Sequence, residues 1–199
     1  MNGRIVILNG APRAGKSSIA AAVMARLPGR WINLGVDEMR KRTAEALQPG
    51  IGLRPGGERP DLEADIQQLY AQLYDDIARN ARAGFDVVVD VGHHDWYSRP
   101  LGILTASARQ LAGLPTLFVG VRCPVEVIMA RRNAAPEGYV AGPGVPEPVA
   151  RWQHAVHVPG IYDLEVDSSV LAPEQAADAI AAALDNPPRP SAFEQLARQ

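Results

Sequence analysis

The segment that decides the fold is Gly10-Ala11-Pro12-Arg13-Ala14-Gly15-Lys16-Ser17, in which two glycines enclose four residues and a lysine and a serine follow. An apolar run at residues 5–8 precedes it, and good helix formers at residues 18–27 follow it. In such a strand–loop–helix unit, loop amides and the helix N-terminus surround phosphate oxygens. The segment therefore predicts a nucleoside-triphosphate site. ATP is the expected nucleotide, because the chain lacks the N/T-K-x-D signature of guanine recognition.

The polar side chains of this segment have separable tasks. Lys16 places a cation on the β- and γ-phosphates, and the Ser17 hydroxyl holds Mg²⁺. Asp90 ends the run at residues 85–89, where a carboxylate beside the phosphate-binding strand supports the metal ion. The predicted nucleotide-binding residues are Gly10, Ala11, Pro12, Arg13, Ala14, Gly15, Lys16, Ser17 and Ser18.

Apolar strand patterns alternate with helical patterns along the whole chain. Strands are expected near residues 5–8, 31–34, 87–90, 116–121 and 164–167, and helices near 18–27, 37–47, 62–83, 98–112, 124–133, 148–156 and 174–184. Strands that are apolar throughout are typical of a parallel sheet covered on both faces. We therefore expect an α/β fold, a three-layer α/β/α sandwich around a five-stranded parallel sheet.

The pattern predicts a single domain over residues 1–186. Glycines and prolines concentrate at residues 133–148, which we expect to form a lid over the site. A second such segment, at residues 49–60, predicts a surface loop. The tail at residues 187–199 is compatible with a short helix or with disorder.

Charge and composition exclude several classes of partner. The 199 residues include 20 Lys and Arg against 22 Asp and Glu, a net charge of −2, so neither nucleic acid nor a membrane surface is an expected partner. The N-terminal apolar run is too short for a secretion signal, which predicts a cytoplasmic protein. A single cysteine, Cys123, excludes an internal disulfide, and no metal other than the nucleotide's Mg²⁺ is expected.

Asp37 follows the second expected strand and is the candidate for the acceptor side. In an open parallel sheet, ligands collect beyond the carboxyl ends of the strands. A carboxylate there can take the proton of an attacking alcohol, although an aspartate at this point can also cap the next helix. Both roles stay open at this stage.

Five sequence blocks in a fixed order carry a resemblance to a known family. They read ILNGAPRAGKSS (7–18), LGVDEM (34–39), VVVDVG (87–92), VGVRCPVEV (119–127) and VHVPGIYDLEVDSS (156–169). Over residues 3–184 the chain resembles chloramphenicol phosphotransferase and its relatives, which are small P-loop kinases. The resemblance implies the strand order 2-3-1-4-5. It also implies transfer of the ATP γ-phosphate to a hydroxyl of the antibiotic, 3-O-phosphorylation that gives antibiotic resistance.

The same resemblance implies a role for individual residues. Asp37 becomes the base, Lys16 and Ser17 serve the phosphates and Mg²⁺, and Asp90 is the acid of the third strand. Arg131, eight residues beyond Cys123, becomes an arginine on the lid side that binds the nucleotide and stabilises the transferring phosphoryl group. The chain departs from the family where further lid arginines are expected, because residues 133–138 contain none.

The acceptor is the least determined part of the prediction. His93 and Trp96 follow the third strand and are candidate substrate contacts, although we interpret His93 and His94 as exposed loop residues. Shikimate kinases carry D-x-D after the second strand, where this chain has Gly35. A shikimate-like or nucleotide-kinase-like acceptor and a regulatory ATP-binding module therefore remain alternatives, and homo-oligomer formation stays open. Basic residues for an acceptor phosphate are available at Arg40, Lys41, Arg42, Arg54 and Arg59.

Overall fold

Five parallel strands form one sheet in the computed structural model, which describes residues 1–47, 52–135 and 144–199. The spatial order is β2-β3-β1-β4-β5, and every neighbouring pair is parallel. The predicted α/β class and the order 2-3-1-4-5 are therefore confirmed. The strands are β1 (Ile5–Asn9), β2 (Trp31–Asn33), β3 (Asp86–Val91), β4 (Thr116–Arg122) and β5 (Leu164–Asp167).

Helices cover both faces of this sheet and produce the predicted three layers. Alternate residues of β1 point to opposite faces, so Ile5 and Ile7 join one buried cluster and Val6 and Leu8 join the other. Within the described residues, no helix is long and apolar enough to cross a membrane. The helices are α1 (Lys16–Arg26), α2 (Val36–Lys41), α3 (Glu63–Arg82), α4 (Ile103–Gln110), α5 (Val125–Ala134), α6 (Glu147–Ala155), α7 (Pro173–Asp185) and α8 (Ala192–Leu196).

Two predicted helices are shorter than expected. The pattern at residues 37–47 gives only α2 and a short 3₁₀ turn, Glu45–Leu47, because the Met39 carbonyl accepts from Arg42 N and the Thr43 hydroxyl. The expected helix at 98–112 begins at Ile103, because Leu101 N and Gly102 N donate to the Asp95 carboxylate and Gly102 has a left-handed backbone with φ of 64°. Of the predicted loop and lid, residues 49–51 and 136–143 lie outside the described residues.

The C-terminal helix α8 packs against the sheet. Its first turn is closed by a reciprocal capping pair, in which Ser191 N donates to Glu194 and Glu194 N donates to Ser191 Oγ. The Phe193 ring meets Phe118 of β4 edge-on, with the two centroids 5.1 Å apart. Asp163 accepts a hydrogen bond from Ala192 N at 2.7 Å, which fixes the start of the helix. This end of the chain therefore contributes to the core.

We expect Phe193→Ala to lower the free energy of unfolding by about 3 kcal/mol, since the change removes a buried aromatic ring and leaves a cavity. Urea denaturation followed by circular dichroism measures this loss. Arg198→Ala, an exposed change two residues beyond α8, is the control and should shift the free energy by less than about 0.5 kcal/mol. Equal stability of the two variants would contradict the packing of α8.

Candidate active site

The loop between β1 and α1 turns tightly beside β4. A Cβ at Gly10 would lie 2.5 Å from the Val121 carbonyl oxygen, so no larger residue fits there. Two loop residues have positive φ, Arg13 at 66° and Gly15 at 88°, and Gly15 immediately precedes α1. Local geometry thus explains why the glycines stand where they do.

Lys16 is turned back onto the loop that carries it. Its Nζ donates to the carbonyl oxygens of Gly10 and Ala11, both at 2.9 Å. Burial of this amine lowers the pKa of Lys16 to about 8, and the nearby carboxylates Asp90 and Asp37 act in the opposite direction. The ammonium group is therefore close to its own titration range at slightly alkaline pH.

Ser17 and Asp90 form a direct pair at the carboxyl end of β3. Ser17 Oγ donates to Asp90 Oδ2 at 2.9 Å, and Asp90 is buried apart from 8% of its surface. Gly35 leaves room for this carboxylate, because a Cβ at that position would lie 1.7 Å from Asp90 Oδ1. A hydroxyl and a carboxylate are the oxygen ligands that Mg²⁺ prefers, so this pair fits the predicted metal site.

Two neighbouring cavities meet at Asp37. The larger, of about 770 Å³, lies along the loop, and the second, of about 610 Å³, lies against α2. Four residues, Ser17, Asp37, Arg40 and Asp90, line both. The predicted site residues on the wall of the larger cavity are Gly10, Pro12, Arg13, Gly15, Lys16, Ser17, Ser18, Asp37, Asp90 and Arg131, whereas Ala11 and Ala14 are buried behind it.

Asp37 lies within the first turn of α2 and is largely exposed, with its carboxylate 3.9 Å from the Arg40 guanidinium. The helix N-cap is Gly35, two residues earlier, and no side chain caps it. The alternative role of Asp37 as the cap of this helix is therefore wrong. The carboxylate instead stands at the junction of the two cavities.

Arg131 joins three segments around the loop. Its guanidinium donates to the Arg13 carbonyl at 3.2 Å, to Ser168 Oγ at 3.1 Å and to the Ser168 carbonyl at 2.6 Å. The same group lies 3.4 Å from Cys123 Sγ. Arg131 belongs to α5 rather than to the segment predicted as a lid, and it presents a cation on the cavity wall.

His93 and His94 are buried, with 2% and 5% exposure, so their interpretation as exposed loop residues is wrong. The His93 ring stacks on Tyr70, and its Nε2 lies 2.7 Å from the Tyr74 hydroxyl. Burial lowers the pKa of His93 to about 3, so its ring is neutral. Substrate contact by His93 stays a prediction that this position does not favour.

The tryptophan that lines the site is Trp152, not the predicted Trp96. Trp96 is 46% exposed and is not among the residues that line either cavity, so its predicted substrate contact also lacks support. Trp152 of α6 lines the larger cavity and lies against Gly92, where a Cβ would be 2.9 Å from its ring. Its position depends on tertiary packing, for which the sequence carries no local signal.

Asn9 was missed by the sequence analysis and links three parts of the site. Its Nδ2 donates to the Val156 carbonyl and to the Tyr162 hydroxyl, both at 2.8 Å, and its Oδ1 accepts from His93 N at 2.7 Å. These bonds satisfy a side-chain amide that is almost fully buried. The available signal was an amide residue ending an apolar strand directly before the glycine-rich loop.

Comparisons with known proteins agree with this architecture. The sequence profile of the family described as chloramphenicol phosphotransferase-like protein matches residues 3–185. Among curated proteins, none matches the chain significantly in sequence.

Solved structures with the same fold include the APS kinase of Mycobacterium tuberculosis in complex with AMPPNP and APS, 18% identical with a TM-score of 0.63, over 93% of this chain and 99% of that one. The shikimate kinase of Acinetobacter baumannii in complex with shikimate is 13% identical with a TM-score of 0.60, over 93% and 95%. The tunicamycin resistance protein of Deinococcus radiodurans is 19% identical with a TM-score of 0.56, over 90% and 94%. At these identities the likeness describes the fold alone.

Nucleotide affinity should fall as the pH rises above about 8, because the free protein then loses the proton of Lys16 that a bound phosphate needs. Titration with a non-hydrolysable ATP analogue between pH 7 and 9.5 measures the effect. Lys16→Met is the control, with weaker binding that does not change over this range. An affinity of the wild type that is independent of pH would contradict the lowered pKa.

Gly35→Ala should disrupt the Ser17–Asp90 pair, since the added methyl group overlaps the Asp90 carboxylate. We expect the gain in ATP-analogue affinity on adding Mg²⁺ to shrink at least about tenfold, a size typical of altered metal ligation. Calorimetric titration with and without Mg²⁺ gives this ratio. Gly113→Ala, at an exposed turn outside both cavities where φ is 78°, controls for the strain and loss of stability of a glycine-to-alanine change, and its Mg²⁺ effect should equal that of wild type. An unchanged Mg²⁺ effect in Gly35→Ala would show that Asp90 does not support the metal.

Proposed function

Since the chain belongs to the chloramphenicol phosphotransferase-like family and is a phosphotransferase of the P-loop kinase type, we propose that it transfers the γ-phosphoryl group of ATP to a hydroxyl of a small molecule. The observation that carries the proposal is the place of Asp37, where the cavity along the phosphate loop meets the cavity against α2. Chloramphenicol is the leading acceptor by family membership, and its phosphorylation would give antibiotic resistance.

In this proposal the phosphates of ATP are bound by the amides of the glycine-rich loop and by the cationic side chains of Lys16 and Arg131. The loop amides bind the phosphate oxygens, and Lys16 exchanges its bonds to the Gly10 and Ala11 carbonyls for bonds to the β- and γ-phosphates. Arg131 stabilises negative charge from the opposite side, because Ser168 and the Arg13 carbonyl hold its guanidinium on the cavity wall. The nucleotide therefore lies beyond the carboxyl ends of β1 and β4.

Ser17 and Asp90 are the residues that would hold Mg²⁺. The close approach of their oxygen atoms, at 2.9 Å, supports this assignment. When bound, the ion supplies positive charge to the phosphates of ATP and helps to orient them. Gly35 contributes by leaving the Asp90 carboxylate its space.

Asp37 acts on the acceptor. Its exposed carboxylate accepts a hydrogen bond from the attacking hydroxyl and orients the oxygen toward the γ-phosphorus. It takes the proton as the new ester bond forms and the bond from the γ-phosphorus to the bridging oxygen breaks, with ADP as the leaving group. Exclusion of water from the site would favour the acceptor over hydrolysis.

The charges near Asp37 favour a hydroxyl acceptor without a phosphate group. In the second cavity, Lys41 is paired with Glu38 at 2.6 Å, and Arg40 lies 3.9 Å from Asp37. Each cation thus has a carboxylate beside it, whereas a nucleotide-kinase-like acceptor needs cations directed at its own phosphate. The lack of space at Gly35 likewise disfavours the second carboxylate of the shikimate-kinase pattern.

We expect Asp37→Asn to lower kcat by about 10²-fold or more, the usual contribution of a positioned base, and to leave ATP-analogue affinity within about twofold. ADP release that depends on added acceptor gives kcat, and calorimetry gives the affinity. Asp75→Asn, an exposed change on α3 outside both cavities, is the matched control.

Two results would contradict the proposal. Full acceptor-dependent turnover by Asp37→Asn would remove the assigned base. A wild-type protein that binds ATP tightly and transfers phosphate to none of a broad set of alcohols would favour a regulatory ATP-binding module.

A further inference from the structure

His94 is held in one orientation at the acceptor end of the sheet. Its Nε2 donates to the Leu53 carbonyl at 2.9 Å, which fixes the proton on that nitrogen. Its ring lies against Tyr97, with centroids 4.3 Å apart, and burial lowers the pKa of His94. The side chain is therefore a neutral, rigid group four residues beyond Asp90.

This one ring supports two separate parts of the cavity wall. Leu53 directly follows Gly52, which lines the larger cavity. On its other side, the ring meets Trp152 at a right angle, with centroids 5.1 Å apart, and Trp152 also lines that cavity. The two wall residues come from distant segments, and the His94 ring contacts both of these segments.

Both wall residues line the larger cavity on the side of β3 and α2, the elements that carry Asp90 and Asp37. Gly52 belongs to the segment that follows α2, the helix of Asp37, and Trp152 packs on Gly92 at the end of β3. The nucleotide half, with Arg131 and Ser168, lies beyond β4 and β5 on the other side of the loop. We therefore expect a change in His94 to weaken binding of the acceptor more than binding of the nucleotide.

We propose that His94 is a positioning residue for the phosphoryl acceptor, which it serves by fixing the Leu53 peptide and the Trp152 indole as one wall. The inference rests on the proposed function, since it names the residue that shapes the acceptor half of that site. His94 does not touch the transferring group. Its removal lets the wall shift, which weakens binding of the acceptor and so raises the acceptor KM.

The test compares two variants of His94. His94→Leu keeps the bulk and loses the N–H donor, whereas His94→Gln offers an amide N–H to the Leu53 carbonyl. We expect His94→Leu to raise the acceptor KM by about tenfold or more, and to leave the ATP KM and kcat within about threefold of wild type. His94→Gln should keep the acceptor KM within about threefold of the wild-type value. His154→Leu, at an exposed position of α6, controls for loss of a histidine.

Amide hydrogen exchange tests the role of His94 independently of whether the proposed phosphoryl transfer takes place. Gly56 N donates to the Trp96 carbonyl, so its amide reports whether the segment after Leu53 stays in place. We expect faster exchange at Gly56 in His94→Leu than in His94→Gln, whether or not an acceptor is turned over. Unchanged exchange in His94→Leu would overturn the inference. The inference would also be overturned if the acceptor KM of His94→Leu equalled that of wild type. A rise in the ATP KM of this variant as large as the rise in its acceptor KM would overturn it too.

Discussion

The site depends on glycines at the carboxyl edge of the sheet, at positions where the neighbouring atoms leave no space for a side chain. A Cβ at Gly10, Gly35 or Gly92 would lie within 3 Å of a neighbouring atom, and each of these glycines follows the end of a strand. The backbone of β1 can thereby approach β4, the Asp90 carboxylate can lie beside β2, and Trp152 can cover the end of β3. Residues that follow separate strands can therefore line the same cavity, because no side chain at these three glycines keeps them apart.

A buried hydrogen-bond network then fixes this edge. Asn9 joins the end of β1 to His93 after β3, to Val156 after α6 and to the Tyr162 hydroxyl through three hydrogen bonds. Tyr162 extends the network to His157, 2.8 Å from its hydroxyl. A buried polar network specifies one arrangement, because breaking any member leaves an unsatisfied group in a low-dielectric interior. The network therefore holds the end of β1, from which the loop that carries Lys16 and Ser17 begins.

The fold could be predicted from the sequence because its signals are local. Runs such as residues 87–89 indicate buried strands by themselves, and the glycine spacing of residues 10–17 indicates the loop. The helix boundaries near α2 and α4 were less accurate, because they depend on the hydrogen bond that the Thr43 hydroxyl donates and on those that the Asp95 carboxylate accepts.

The supporting residues of the site could not be predicted in the same way. A pair of histidines after a strand looks polar and exposed in sequence, yet His93 stacks on a tyrosine 23 residues away in α3 and His94 bonds to a carbonyl 41 residues away. The same holds for Trp152, whose cavity position depends on Gly92. Such contacts join segments that no short-range pattern relates.

The most direct test of the account is the fate of the γ-phosphoryl group. Purified protein is incubated with Mg²⁺, ATP labelled with ¹⁸O in its γ-phosphate and a panel of alcohols that includes chloramphenicol, and the products are analysed by mass spectrometry. The account predicts a monophosphate ester of an alcohol that carries the three labelled non-bridging oxygens. Label recovered only in inorganic phosphate, or only in unreacted ATP, would contradict it.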